Sequence, residues 1–158
     1  MSTSAQVRTA WNTYVLQDAT LQAFTNKIHL FEVIEDSEAA LELTRYDTEI
    51  NFAQCLIARG QAYAESSQPA GTSVQYNYQV EVTYIREADP AGNNWLAVID
   101  FFDTLQDLVR TQLGVTWAGT VDFFRPQDGT VAIEAIEYDN TKAWRGTFRF
   151  VAAKYTSL

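Results

Sequence analysis

The chain has 158 residues, with 20 acids against 11 bases and a formal net charge of −9, a size suited to one domain and a sign that repels nucleic-acid phosphate. Hydrophobic residues make up 47% and aromatics 13%, enough apolar surface for a real core and against global disorder. One cysteine and one histidine exclude an internal disulfide framework and a multi-histidine metal centre.

Met1 to Gln6 is small and polar, without the basic start and apolar centre of a signal peptide. No apolar run approaches the ~20 residues of a membrane-spanning helix. Ser4 caps a predicted helix from Ala5, in which Val7, Ala10, Trp11, Tyr14 and Val15 recur at helical spacing. A second short helix is expected over Thr20 to Asn26. Lys27 to Ile34 reads as a strand or an extended connection, and Glu35 to Arg45 as a helical turn or a mobile insert. Thr48 to Ala64 carries a strand signal in Ile50, Phe52, Leu56 and Ile57, with a bend at Gly60. Ser66 to Ser73 is rich in turn residues and reads as a loop.

The next segment carries the clearest pattern. Val74, Tyr76, Tyr78, Val80, Val82 and Tyr84 alternate with Gln75, Asn77, Gln79, Glu81 and Thr83. Such alternation predicts a long antiparallel strand with one buried face. With the preceding strand it forms a hairpin tipped by the Ser66 to Ser73 loop. Asn94 is expected to cap a helix running to about Leu113, with Gly114 ending it. Leu96, Ile99, Leu105, Leu108 and Val109 would line its apolar side, helped by Trp95, Val98, Phe101, Phe102 and Leu113, with Asp100, Asp103 and Asp107 opposite. Three more strands follow, over Thr120 to Phe124, Val131 to Tyr138 and Ala143 to Tyr155. The expected class is α+β: an antiparallel sheet with a long hairpin and helices packed on one face.

Few residues invite chemistry. Asp100, Asp103 and Asp107 share a helix face and could hold a hard cation, but a solvated outer face explains them without one. Glu87, Asp89, Asn93 and Asn94 surround a Gly turn without the spacing of a calcium loop. His29 and Cys55 sit in no recognisable nucleophile context, and phosphate-loop, dinucleotide and nucleophile-elbow motifs are absent. The expectation is therefore no enzyme activity, no cofactor and no metal.

Lys142, Arg145, Arg149 and Lys154 fall in a stretch without acids. Arg145 and Arg149 share strand parity, opposite Trp144, Phe148 and Phe150. Either an edge strand is kept soluble by cations, or a basic surface meets an acidic surface of another copy.

The segments Tyr78 to Tyr84, Arg86 to Pro90, the helix from Trp95 to Leu113, Gly119 to Pro126 and the final Phe148-Arg149-Phe150 resemble, in order and texture, a tail terminator protein of a long-tailed bacteriophage. The likeness runs from about residue 48 onward, and 35–47 stands out as an insertion. The resemblance implies a hexameric ring on the head-proximal end of the tail tube. Such a ring stops tube growth and docks to the head-completion (connector) protein. The resemblance further implies that genome DNA passes the channel without specific binding, that no membrane is involved, and that the protein belongs to the virion, assembled in the host cytoplasm. On this reading Arg145 and Arg149 contact the adjacent copy, and Gln68, Pro69, Ala70, Gly71 and Thr72 contact an axial partner. The alternatives are another neck protein (a head-closure or adaptor ring), a tail tube component, or a small-molecule-binding α+β domain.

Overall fold

The computed structural model describes residues 4–24, 27–31, 50–64, 73–90, 94–112, 116–127, 129–138 and 140–157. The expected insertion at 35–47, the loop tip from Gln68 to Thr72 and the Gly114 cap lie outside them. The chain opens with helix α1 (Ser4–Trp11), a π-helical turn (Asn12–Leu16) and the short helix α2 (Ala19–Gln22). Strands β1 (Lys27–Phe31), β2 (Asn51–Ala64) and β3 (Ser73–Glu87) follow, then helix α3 (Trp95–Thr111). Strands β4 (Phe123–Pro126), β5 (Ala132–Tyr138) and β6 (Thr141–Ser157) complete the fold.

The six strands form one sheet in the order β1-β2-β3-β6-β4, with β5 also on β6. β4 pairs with the Phe150 to Ala153 part of β6 and β5 with its Thr141 to Thr147 part. The α+β class stands as expected, with one departure: β1 runs parallel to β2. A second departure concerns the last strand. β6 is not an edge; β3 flanks it on one side and β4 and β5 on the other. Its apolar residues explain this, because both faces are partly buried: Phe148, Phe150 and Ala152 on one, Val151 and Ala153 on the other. The β2–β3 hairpin is present, and the register slips between Arg59 and Ala62, around Gly60. It is not a free arm, since β3 pairs with β6 from Ser73 to Glu87.

The main core lies between the helices and one face of the sheet, and a smaller buried cluster of Ile50, Phe52, Ile85, Tyr138 and Ala143 includes side chains of the opposite face. Ala53, Cys55 and Ile57 of β2, Tyr78, Val80, Val82 and Tyr84 of β3, and Phe148, Phe150 and Ala152 of β6 supply the sheet side. From α3 come Val98, Phe101, Phe102, Leu105 and Val109, spaced to form one helical stripe. Leu96, expected inside, is 48% exposed and Trp95 39%, because the stripe centred on Val98 and Phe102 turns both outward. Asn94 does not cap α3 with its side chain. It bridges the preceding turn instead, accepting from the Asp89 N–H and donating to the Glu87 carbonyl. α2 does have a side-chain cap: Asp18 Oδ1 accepts from the N–H groups of Thr20 and Leu21 at 2.9 and 3.2 Å, worth about 1 kcal/mol.

Trp11 anchors α1. Its ring meets Trp117 edge-on at 6.0 Å and lies 5.8 Å from Phe150. Trp117 is held in a left-handed backbone conformation (φ +47°), and so is Ala118 (φ +57°). For non-glycine residues this costs about 1–2 kcal/mol each. Burial of the Trp117 ring against Trp11 and Phe124, with Tyr14 stacked on it, offsets that cost. This also explains why Tyr14, expected in the α1 stripe, sits at the surface, 43% exposed.

Candidate interaction surface

Because α1 and α3 cover one face of the sheet, the side chains of opposite parity occupy the other. Register sets them in rows. Gln54 lies opposite Thr83, Thr83 opposite Thr147, and Thr147 opposite Ala132. This row of small and polar side chains crosses four strands, about 14 Å at the usual strand spacing. It forms the floor of a shallow trench of about 260 Å³. Two ion pairs stand on its rims, each between residues directly opposite on neighbouring strands. On one rim Arg149 Nε donates to Glu81 Oε2 at 2.8 Å. On the other Arg145 Nε and Nη2 donate to Glu134 Oε1 at 2.9 and 2.5 Å. The trench is therefore charge-balanced on a chain of net charge −9.

Gln54 is the unusual member. It is 2% exposed, and its Oε1 is buried without a hydrogen-bond partner. Such an acceptor costs about 1–3 kcal/mol while it stays unpaired.

Arg145 and Arg149, singled out in the sequence, thus share one face, and each has an acidic partner within the chain. The basic stretch lacks acids only along the sequence; neighbouring strands supply them. Glu81, Glu134, Thr83 and Thr147 carry no local sequence signal for this site, since four-strand register brings them together. Gln54 alone leaves a trace, an amide inside the otherwise apolar run Phe52 to Ile57.

The remaining candidates do not converge. Asp100, Asp103 and Asp107 are exposed along α3, and Asp107 pairs with Arg110 at 3.1 Å. Among the described residues no group of three His, Cys, Asp or Glu side chains is placed to hold a metal ion. His29 lies in β1, at the register position of Gln54. Cys55 is buried in the core, and burial pushes its thiol pKa well up. The Trp11 side chain opposes a smaller part of that rise, although its indole N–H makes no hydrogen bond of normal geometry. A protonated, enclosed thiol is a poor nucleophile.

No family model matches the chain, and no curated protein matches it. One solved structure, whose name states no function, superimposes with a TM-score of 0.50 over 95% of both chains at 8% identity. At that identity the likeness concerns the fold alone.

Proposed function

We propose that this chain is a structural virion protein, a tail terminator that forms a ring, in the assembled particle a hexamer, at the head-proximal end of a long-tailed phage tail. The ring ends tail tube polymerisation and docks to the head-completion protein, with DNA passing through its channel. The observation that carries the reading is the charge-balanced trench. On an acidic chain the trench on the sheet face opposite the helices is charge-balanced, Arg145 with Glu134 and Arg149 with Glu81, so copies of this chain can approach it without mutual repulsion. The resemblance of residues 48 onward to tail terminators supplies the particle and the position in it.

Adding the purified chain to polymerising tail tube protein tests this. The expected outcome is tubes closed at one end by a single ring, seen by electron microscopy. Incorporation along the tube would instead identify a tube component, and twelve-fold rings an adaptor; either overturns the assignment.

A further inference from the structure

We infer that β5 of one copy of this chain pairs, antiparallel, with β1 of the next, so that the sheets of neighbouring copies run on into one another. The inference rests on the ring reading above and specifies its lateral contact. β1 stands at one end of the sheet, and β4 and β5 share the other. Among the described residues β1 pairs with β2 alone and β5 with β6 alone. β5 keeps an unbroken register over seven residues and holds no proline, glycine or lysine to blunt its edge. β4 has four residues and ends on Pro126, which has no N–H to give.

The ladders inside the chain fix which backbone groups point outward. Tyr138 pairs with Thr141 across a two-residue connection, which a hydrogen-bonded pair closes. Hydrogen bonding alternates along an antiparallel pair, so Ala132, Glu134, Ile136 and Tyr138 bond to β6. Ile133, Ala135 and Glu137 therefore turn their N–H and C=O groups outward. At the other end of the sheet the Glu87 N–H donates to the Ile50 carbonyl. Even-numbered residues of β2 thus bond to β3, and odd-numbered ones to β1. Ala53 and Cys55 then engage the backbone of Lys27, His29 and Phe31, which leaves Ile28 and Leu30 facing outward.

Charge selects β1 of a second copy as the occupant. β5 carries Glu134 and Glu137 and no cation, whereas β1 carries Lys27 and His29 and no acid. β5 on β5 would gather four carboxylates, and β1 on β1 two lysines, each against its like. Only β5 on β1 joins opposite signs. Direction agrees: β1 and β5 run opposite ways within the sheet. Copies related by rotation about an axis along the strands therefore present them antiparallel. The outward groups meet when Leu30 lies opposite Ile133 and Ile28 opposite Ala135, all apolar. Ile133 packs on the main core, and Ile28 and Leu30 hold the register positions of the core residues Ala53 and Cys55. The helix layers of both copies thus stay on one side of the joined sheet. In this register His29 falls opposite Glu134 and Lys27 diagonal to it, beside the Arg145 pair. A shift of two residues would set Ile28 against Glu137 and Phe31 against Glu134. Joining two different edges makes the contact heterologous, the kind that repeats into a ring when the rotation closes.

Disulfide trapping tests both the pairing and its register. His29 and Glu134 would form a non-hydrogen-bonded pair with Cα atoms about 4.5 Å apart, a separation that a disulfide spans. Cys55 is buried and stays out of the reaction. At about 1 mM protein, a mixture of His29→Cys and Glu134→Cys is expected to oxidise to a disulfide-linked heterodimer. Each variant alone should give no such dimer, and His29→Cys with Ala132→Cys far less. Ala135→Pro removes an outward N–H at an exposed position of β5. It is expected to weaken self-association about tenfold or more in sedimentation equilibrium. Glu134→Lys, which leaves the backbone intact, should weaken it in the same direction. Circular dichroism and thermal midpoints establish that each variant folds. A cysteine mixture without heterodimer, homodimers in its place, or lysine and proline variants that associate like the parent overturns the pairing. If Ala135→Pro still caps tail tubes with a ring, the pairing falls and the tail terminator reading stands. If the heterodimer forms but the parent chain never caps tubes, the reverse holds.

Discussion

Gly146 of β6 lies so close under Phe102 of α3 that a Cβ at this position would overlap the ring edge, and it would stand 2.8 Å from Val98 Cγ1. The helix is seated on the sheet through this missing side chain. Gly146→Val is therefore expected to destabilise the fold by about 1–3 kcal/mol or more, the range for overpacking a tight core. Urea unfolding reads this directly. A Phe102→Leu change in the same chain should recover part of the loss, since it removes the ring that the new methyls meet.

Tyr84 ties the end of the helical segment to the sheet. Its hydroxyl lies 2.8 Å from both the Phe24 carbonyl and Asn51 Oδ1, and accepts from Arg86 Nη1 at 3.3 Å. One proton serves two acceptors, so the hydroxyl donates to one at a time. Tyr84→Phe keeps the ring packed at 4.4 Å from Phe101 and removes only the polar hub. The expected loss is about 1–2 kcal/mol, with hydrogen exchange faster at the β2 start than in the centre of β3.

Ala118 gives a prediction of opposite sign. It is exposed and left-handed, at φ +57°. Glycine adopts that conformation without the Cβ penalty, at the cost of a more flexible unfolded chain. The balance favours Ala118→Gly by about 0.5–1 kcal/mol. A midpoint that falls on denaturation would show that the turn after α3 carries no strain.

Much of the fold was legible where a pattern is local. The alternation from Val74 to Tyr84 identifies β3 and its buried side, because a period of two needs no knowledge of neighbours. The stripe of α3 was legible in part: Val98, Phe101, Phe102, Leu105 and Val109 were all candidates. Leu96 was misplaced because hydrophobicity does not say which arc of the helix meets the sheet. The central position of β6 was not legible, since edge or centre depends on whether β4 and β5 pair with it. The trench was invisible for the same reason. Thr83 and Thr147 are 64 positions apart (147 less 83) and become neighbours only through strand register.

The two rim ion pairs are accessible to water. The side chains of Arg145 and Glu134 are 34% and 57% exposed, those of Arg149 and Glu81 45% and 33%. Pairs this accessible contribute little, about 0.2–1 kcal/mol each. A double-mutant cycle of Arg145→Met and Glu134→Gln should return a coupling in that range, shrinking toward zero at about 1 M salt. A coupling of several kcal/mol would mean that the face is shielded from water in the isolated chain.

Cys55 supplies the pH dependence. The thiol is fully enclosed in the core, and burial raises its pKa above the ordinary value of 9.0. Below pH 9 both folded and unfolded chains hold the proton, and stability does not change through this group. Above it the unfolded chain releases the proton while the folded chain keeps it. The folded state then binds more protons, and stability falls as pH rises, by up to about 1.4 kcal/mol per pH unit. Cys55→Ala removes this dependence while opening a small cavity, so it should be less stable than the parent at pH 7 and lose less between pH 9 and pH 10. Urea unfolding of both proteins across that interval measures the difference in slope. Equal slopes would show that the Cys55 environment is far wetter than its burial indicates. The same enclosure predicts that a thiol reagent labels the native chain only at the rate of global opening, and this rate should rise in Gly146→Val, which loosens α3 against the same core.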